Sequence, residues 1–329
     1  MSDKPSLLQA SRLYKKFPIY SGIIRHEVAS VKAVSNVSFE IKEKEVVGLV
    51  GESGSGKSTL ARMVAGLIEP TSGEIYFEGK NIQSLTPAEK SFFRRNTQMV
   101  FQDPYASLNP RKTISETISE GILLLKLASN KDEARSLSLE ALHKVGLSEE
   151  ALDKYPHEFS GGQQQRICIG RSIALKPKLL ISDESLSALD VSYQAQILNL
   201  FNDLKEELKL SYLFIAHDLE LVKHISDKVI VLYLGKVMEC ASSDELFSNP
   251  KHPYTQALLS AVPKRHPSEE KSRILLEGEI PSPVHPPSGC PFRTRCPYAQ
   301  KICEETPPKR EVFDKGTEKM DHTYHCILP

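Results

Sequence analysis

The stretch Gly51–Thr59, Gly-Glu-Ser-Gly-Ser-Gly-Lys-Ser-Thr, constrains this chain more than any other. It matches G-x-x-x-x-G-K-[ST], a loop that cradles phosphate groups with its backbone. Its flanks agree. Val46–Val50 is a short apolar, β-branched run that reads as a buried strand. Lys57–Ile68 has helical spacing, with Leu60, Met63, Val64 and Leu67 on one face. A strand, a glycine turn and a helix N-terminus together make an anion trap. Gly54 and Gly56 let backbone N–H groups turn inward, and the helix dipole adds partial positive charge. The motif sets Lys57 against the β- and γ-phosphates of a nucleotide and the Ser58 hydroxyl on Mg²⁺. Gly51, Ser53 and Thr59 complete the expected binding loop.

The chain has 329 residues, enough for about two domains. At 40% hydrophobic and 26% charged it has the apolar material for a real core. Lys+Arg and Asp+Glu are both 42, and a formal net charge of zero argues against a general polyanion binder and against a nucleic-acid partner. Met1–Ala10 has neither an apolar core region nor a cleavage-site pattern, so no secretory signal is expected. No window is apolar for the length a membrane span needs; the nearest, Ile122–Leu127, is short and holds Lys126. A membrane role is therefore expected to be peripheral.

Short strands and turns fill residues 7–80: Val34–Ile41, Val46–Val50, and Glu74–Phe77 closed by Gly79-Lys80-Asn81. Thr97–Phe101 is a further apolar run. From Thr113 to Tyr155 glycine nearly disappears and helical spacing takes over, through Ile114, Ile118 and Ile122, then Ala134, Leu137, Ala141 and Val145. A helix is predicted from Ser160 through Leu175. Strands at Lys178–Ser182, Leu213–Ala216 and Val229–Leu234 alternate with helices at Val191–Leu208 and Leu219–Ile225. This alternation predicts a mostly parallel sheet covered on both faces. After Val262 the prolines crowd (Pro263, Pro267, Pro281, Pro283, Pro286, Pro287), predicting a linker and a small cysteine-stapled tail without regular structure.

Further chemistry sits at the predicted strand ends. Asp183 and Glu184 close an apolar strand; the first suits Mg²⁺, and the second could polarise a water for attack on a γ-phosphate. His217 follows Leu213–Ala216, where it could bond the γ-phosphate and orient that water. Gln102 stands past Thr97–Phe101, within reach of Mg²⁺ or the water. In Phe159-Ser160-Gly161-Gly162-Gln163, Ser160 can cap the next helix, and the glycines admit a ligand close to the backbone.

Together, in this order, these pieces resemble the ATP-binding cassette (ABC) family. Gly51–Thr59 resembles its Walker A motif, Gln102 its Q-loop, and Phe159–Gln163 its signature motif. Ile181–Glu184 resembles its Walker B, Ser187-Ala188-Leu189-Asp190 its D-loop, and His217 its switch histidine. Phe17 resembles the aromatic residue that stacks on adenine, although Tyr14 is close by. Phe159 stands where leucine is usual, and Ser185-Leu186 where Pro-Thr or Pro-Val is common; neither departure removes a polar group used in chemistry. Other P-loop families lack the signature, and no guanine-reading Asn-Lys-x-Asp motif is present. A soluble cassette protein acting on nucleic acid or ribosomes would usually carry two cassettes and strongly basic segments.

The resemblance implies an α/β cassette fold: a mixed, mostly parallel core sheet, a small antiparallel β subdomain and a helical subdomain. The cassette would span 7–250, with a helical insert at about 104–158, and a C-terminal extension would span 251–329. It also implies ATP and Mg²⁺ as ligands, with Ser58, Gln102 and Asp183 at the metal. Two cassettes would pair head to tail, so that Ser160 and Gly162 act on the partner's nucleotide, and Gln163 and Asp190 are further expected nucleotide-binding residues. His252-Pro253-Tyr254-Thr255, the long insertion between Phe17 and Val31, and the run Gln102–Pro110 resemble oligopeptide and dipeptide importer ATPases. The expected role is the ATPase subunit of a peptide importer, or of a nickel or other solute importer. It would lie at the cytoplasmic face of the cell membrane with a sibling cassette chain and two permeases, and an extracytoplasmic solute-binding protein would be an indirect partner.

The six cysteines divide. Cys168 and Cys240 read as buried free thiols. Cys290, Cys296, Cys303 and Cys326 follow C-x5-C-x6-C-x22-C, a clustering that points to one metal centre rather than disulfides. Zinc is the generic partner of four thiolates, yet no C-x-x-C pair is present. A [4Fe–4S] cluster also takes four thiolates, spread along the chain, and similarity to peptide-importer ATPases points the same way. In the zinc case His322 or His325 could replace a ligand.

Overall fold

The computed structural model describes residues 5–22, 26–187, 189–262, 274–305, 310–313 and 322–328. Ala188 of the D-loop-like stretch, Pro263 and Pro267 of the linker, and residues 23–25 of the insertion after Phe17 lie outside them. The strands, in chain order, are β1 (Ser6–Ser21), β2 (His26–Lys42), β3 (Val46–Val50), β4 (Ser72–Phe77), β5 (Lys80–Asn81), β6 (Thr97–Val100), β7 (Leu179–Asp183), β8 (Ser211–Ile215), β9 (Lys228–Tyr233), β10 (Lys236–Ser242), β11 (Arg310–Phe313) and β12 (His322–His325). The helices are α1 (Lys57–Val64), α2 (Pro87–Asn96), α3 (Pro104–Ser107), α4 (Ile114–Leu124), α5 (Lys131–Lys144), α6 (Gly161–Ile173), α7 (Val191–Leu208), α8 (Leu219–Ile225), α9 (Ser243–Ser248), α10 (Pro253–Ser260) and α11 (Ile302–Glu305).

These elements form two compact units: Met1–Leu8, Ile41–Val46 and Tyr76–Ala216 in the first, and Gln9–Glu40, Val47–Ile75 and His217–Pro329 in the second. In the first unit β6, β7 and β8 are parallel, in register at Met99, Ile181 and Leu213. Every residue of β7 and β8 is buried, as befits strands covered on both faces. Phe201 of α7 packs edge-on against Tyr212 and Phe214, at 5.6 and 5.9 Å between ring centres. The Tyr212 hydroxyl donates to the Phe201 carbonyl at 3.1 Å, so the phenol enters the core with its polar group satisfied.

The helical part of this unit starts its helices with side-chain caps. Thr113 and Glu116 form a capping box on α4, and Asn130 caps α5. Ile114, Ile118, Ile122, Ala134, Ala141 and Val145 are buried, as their spacing predicts. Leu137 is only half-buried; Ser138 takes the inner position instead. Its hydroxyl donates to the Ala134 carbonyl at 2.8 Å and lies 3.0 Å from the Ser119 hydroxyl, which satisfies it there.

In the second unit β9 runs parallel to β3, and β10 turns back antiparallel to β9. β12 then pairs antiparallel with β10, and β11 with β12. β2, β1 and β4 lie side by side in a separate sheet.

Several expectations need correction. The helix after the phosphate loop ends at Val64, so Leu67 lies beyond it and is 56% exposed rather than on an inner face. The insertion after Phe17 is largely extended: β1 continues to Ser21 and β2 begins at His26. Cys240 lies within β10. The C-terminal tail is not devoid of regular structure, since β12 and β11 extend the second unit's sheet.

One buried carboxylate ties this tail down. Glu239 of β10 has no exposure, and accepts from the Lys251 and His252 N–H groups at 2.7 and 2.9 Å. His322 Nε2 of β12 lies 2.7 Å from the same carboxylate. A charge this deep survives only with several donors. His252 caps α10, its Nδ1 accepting from the Tyr254 N–H at 3.0 Å. Burial holds its pKa down to about 4 from the usual 6.5, outweighing the pull of Glu239, while nearby His325 lowers it further. The ring is thus neutral in the fold and takes up a proton only on unfolding between those pH values. Stability should therefore fall by on the order of 3 kcal/mol as pH drops from 6.5 to 4. Denaturant unfolding across that window should show the slope, and His252→Asn, which keeps a helix cap, should flatten it.

Candidate functional site

The phosphate loop has the shape its sequence predicts. Val46–Val50 is a fully buried strand, and the chain reverses through Gly51 (φ 150°), Gly54 (φ 76°) and Gly56 (φ 102°) into α1. A Cβ on Gly51 would stand 2.1 Å from the Leu232 carbonyl oxygen, and one on Gly56 2.2 Å from that of Ala33, so side chains are excluded on steric grounds as well as by φ. No side chain caps α1, which leaves its first N–H groups facing the loop. Lys57 is buried, and its Nζ donates to the Gly51 and Glu52 carbonyls at 2.7 and 3.1 Å. The ammonium is thus folded over the loop that its phosphates would enter. Ser53 and Gly54 are exposed, and Ser58 and Thr59 are half-buried in the first turn of α1.

The same unit holds His217 and Phe17. His217 is exposed just past β8. Phe17, on β1, is 40% exposed and carries the Lys15 ammonium 5.2 Å above its ring. A ring open on one face is available for stacking.

In the first unit Asp183 is the last residue of β7 and is buried. Glu184 follows in the left-handed region (φ 48°), a conformation that costs a non-glycine residue about 1 kcal/mol and gathers at functional sites. Its N–H is held by the Ile215 carbonyl at 3.0 Å. Gln102 Nε2 donates to Glu184 Oε2 at 3.3 Å, so two residues 82 apart in sequence, both expected at the reacting phosphate, meet here.

Ser160 caps α6 in a reciprocal box: its hydroxyl accepts from the Gln163 N–H at 3.4 Å, and Gln163 Oε1 accepts from the Ser160 N–H at 3.1 Å. Both side chains are exposed. Gly162 is buried, and a Cβ there would strike the Tyr193 ring at 2.5 Å. Asp190 caps α7, accepting from the Tyr193 N–H and the Ser192 hydroxyl. These bonds hold its carboxyl below the usual range, so it stays ionised. Gly162 and Asp190 thus meet at Tyr193.

The four C-terminal cysteines are gathered. The Cys290 N–H donates to the Cys303 carbonyl at 3.0 Å. Burial pushes the Cys290 thiol up to about 11, and the neighbouring Cys303, Cys326 and Cys296 thiols add to the shift. Burial also raises Cys296 and Cys326. Among the described residues, however, no group of three or more His, Cys, Asp or Glu stands in position to hold a metal ion. The expected four-thiolate centre is therefore not formed as a ligand set here. His322 is a poor substitute ligand, since Glu239 engages its Nε2. Cys168 and Cys240 are buried thiols outside any disulfide, and burial raises the Cys168 pKa to about 11, which makes it inert.

Three residues absent from the sequence-derived set touch the phosphate loop. Glu52 lies within it, Tyr254 accepts from the Glu52 N–H through its hydroxyl, and Arg295 reaches it from the cysteine-rich segment. Glu52 occupies a variable position of the motif, and nothing local marks Arg295; Tyr254 alone had a signal, in His252-Pro253-Tyr254-Thr255.

Comparison with known proteins agrees with this geometry. A family model described as ABC transporter matches residues 34–187. Another, described as oligopeptide/dipeptide transporter, C-terminal region, matches residues 238–303. The oligopeptide transport ATP-binding protein AppF of Bacillus subtilis (strain 168) is 50% identical over 311 residues, covering 94% of each chain. The di/tripeptide transport ATP-binding protein DppF of Pseudomonas aeruginosa (strain UCBPP-PA14) is 44% identical over 317 residues, covering 96% of this chain and 98% of that protein. Among solved structures, the dimeric structure of MJ0796, a bacterial ABC transporter cassette, matches with a TM-score of 0.63 at 28% identity, covering 72% of this chain and 98% of that one. The fold is the α/β cassette fold, with parallel core strands and an antiparallel β part. The chain belongs to the ABC transporter family, among the ATP-binding proteins of its oligopeptide/dipeptide transport branch.

Proposed function

We propose that this chain hydrolyses ATP to drive uptake of oligopeptides or dipeptides, working at the cytoplasmic face of the cell membrane with a sibling cassette and two permeases. The observation that carries this reading is the phosphate loop itself, with Lys57 buried over its carbonyls, in a chain half identical to a named oligopeptide transport ATP-binding protein. Among the described residues no helix is long and apolar enough to cross a membrane, which fits a subunit that acts on separate permease chains. In this reading 7–250 is the cassette and 251–329 the importer-type extension.

The residues divide the work. Gly51, Ser53, Gly54, Gly56 and Thr59 bind the phosphates through backbone and hydroxyl groups, and Lys57 neutralises their charge. Phe17 stacks on the base. Ser58, a half-buried hydroxyl, and Asp183, a buried carboxylate at a strand end, are oxygen donors of the kind a hard cation takes, and with Gln102 they would hold Mg²⁺. When bound, Mg²⁺ supplies charge neutralisation at the phosphate oxygens. Glu184, fixed in a strained backbone and bonded to Gln102, polarises the attacking water, and His217 orients it. Ser160 and Gln163, joined in the cap of α6, and Gly162 and Asp190, which meet at Tyr193, face the nucleotide of the sibling cassette.

The cysteines belong to the same proposal. A [4Fe–4S] cluster, with zinc as the alternative, would be held by Cys290, Cys296, Cys303 and Cys326. The clustering of the four cysteines in the sequence supports it, although as placed among the described residues they do not form a ligand set. No step of hydrolysis is assigned to this centre.

Three outcomes are expected. Lys57→Ala should weaken ATP binding by about tenfold or more, whereas Glu184→Gln should bind ATP normally and lose nearly all turnover; equilibrium binding and phosphate release measured side by side distinguish them. Ser160→Arg should leave ATP binding by the isolated chain intact and block hydrolysis by the assembled transporter; parental turnover in that complex would remove Ser160 from the site. Anaerobic purification should give iron and sulfide near four per chain for the cluster. Stoichiometric zinc would select the alternative, and no metal would remove the centre.

A further inference from the structure

Glu52 is held at three points, two of them by chain outside Gly51–Thr59. Its N–H donates to the Tyr254 hydroxyl at 2.9 Å, and its carbonyl accepts from Lys57 Nζ at 3.1 Å. Its carboxylate takes both prongs of the Arg295 guanidinium, at 2.6 and 3.1 Å. Arg295 lies 243 residues away, between Cys290 and Cys296. It is not a surface arginine that happens to reach in: its side chain is 8% exposed and its guanidinium packs 6.0 Å from the centre of the Tyr233 ring. The segment that carries it is anchored by Phe292, whose buried ring meets Tyr233 at 5.4 Å and Tyr254 at 5.2 Å. The Arg295 N–H donates to the Phe292 carbonyl at 3.0 Å, which fixes the arginine relative to that anchor.

Two consequences follow from charge and geometry. Glu52 is the only acidic residue in Gly51–Thr59, and a carboxylate inside a phosphate loop repels the ligand. A bidentate guanidinium cancels that charge, and the partial burial of the pair limits screening by salt. The same fork fixes the direction of the Glu52 side chain, and the loop backbone on either side inherits that constraint. A lysine could supply the charge but not the two-pronged geometry.

We infer that Arg295 is a positioning residue of the phosphate loop: through Glu52 it neutralises the loop's one carboxylate and holds the turn in its phosphate-accepting shape, so the cysteine-rich segment sets nucleotide affinity. The inference rests on Gly51–Thr59 being the nucleotide site. It involves no contact between Arg295 and the nucleotide, and it assigns nothing to any metal.

The test uses the full chain and measures MgATP binding by calorimetry, with thermal unfolding of the nucleotide-free protein alongside. Arg295→Gln should weaken ATP binding by about tenfold, because an unpaired carboxylate is left in the loop. Arg295→Lys should fall between that variant and the parent. The double variant Arg295→Gln, Glu52→Gln should recover most of the affinity, since the repelling charge is gone; a purely structural arginine would give no such recovery. If Arg295→Gln does not fold, Arg295→Lys and its pairing with Glu52→Gln carry the same comparison. Binding by Arg295→Gln within about twofold of the parent, or a double variant no better than the single one, would overturn the inference. Lys57→Ala is the control. If it weakens binding while the Arg295 variants do not, only this inference fails; if it too leaves binding unchanged, the nucleotide-site reading fails with it.

Discussion

The reversal of the chain between β3 and α1 is the constraint on which the rest depends. It must bring backbone N–H groups onto one concave surface, and at two of its positions there is no room for a side chain. The Leu232 and Ala33 carbonyls approach so closely that Gly51 and Gly56 could not carry a Cβ. The turn is also buttressed from neighbouring segments: the Gly235 N–H donates to the Ser55 carbonyl at 2.8 Å, and the Ser35 N–H to the Gly235 carbonyl at 2.8 Å. A phosphate loop of this kind is an assembly of backbones. Its precision comes from the strands and hairpins around it, which explains why β3 and its neighbour β9 are so thoroughly buried.

The second unit adds a layer to this support. Tyr233, Tyr254 and Phe292 come from β9, α10 and the cysteine-rich segment, and their rings pack within about 5 Å of one another. A cluster of this kind makes the C-terminal segment part of the unit's core rather than an appendage. Truncating a fully buried phenylalanine in such a core costs about 3–5 kcal/mol, a large share of the stability of any domain. The polar counterpart is Glu239, whose carboxylate gathers donors from the start of α10 and from β12.

Much of this was legible in the sequence because its signals are local. The phosphate loop, the capping residue Ser160, and the helices Val191–Leu208 and Leu219–Ile225 are written in short stretches whose chemistry dictates their conformation. Leu67 misled because helical spacing outlasted the helix: Ala65 and Gly66 close it, with Gly66 in the left-handed region (φ 67°). Ser138 was hidden because a polar residue entered a core position by bonding to its own helix. The proline-rich tail gave no periodic signal, and its strands exist only because β10 offers an edge. The Arg295–Glu52 pair lay furthest from view, since sequence pattern says nothing about which residue will meet another more than two hundred positions away.

The pairing of β12 with β10 also bears on how the chain is made. Eighty-three residues separate His322 from Glu239, so β10 leaves the ribosome well before its partner exists. At synthesis rates of about 5–20 residues per second, β10 has no β12 beside it for several seconds, and Glu239 lacks one of its donors for the same interval. An unpaired strand edge invites pairing with another nascent chain. The final strands of this protein thus act as a late-arriving cover whose timing is set by translation, and a pause within the proline-rich stretch would lengthen the exposure.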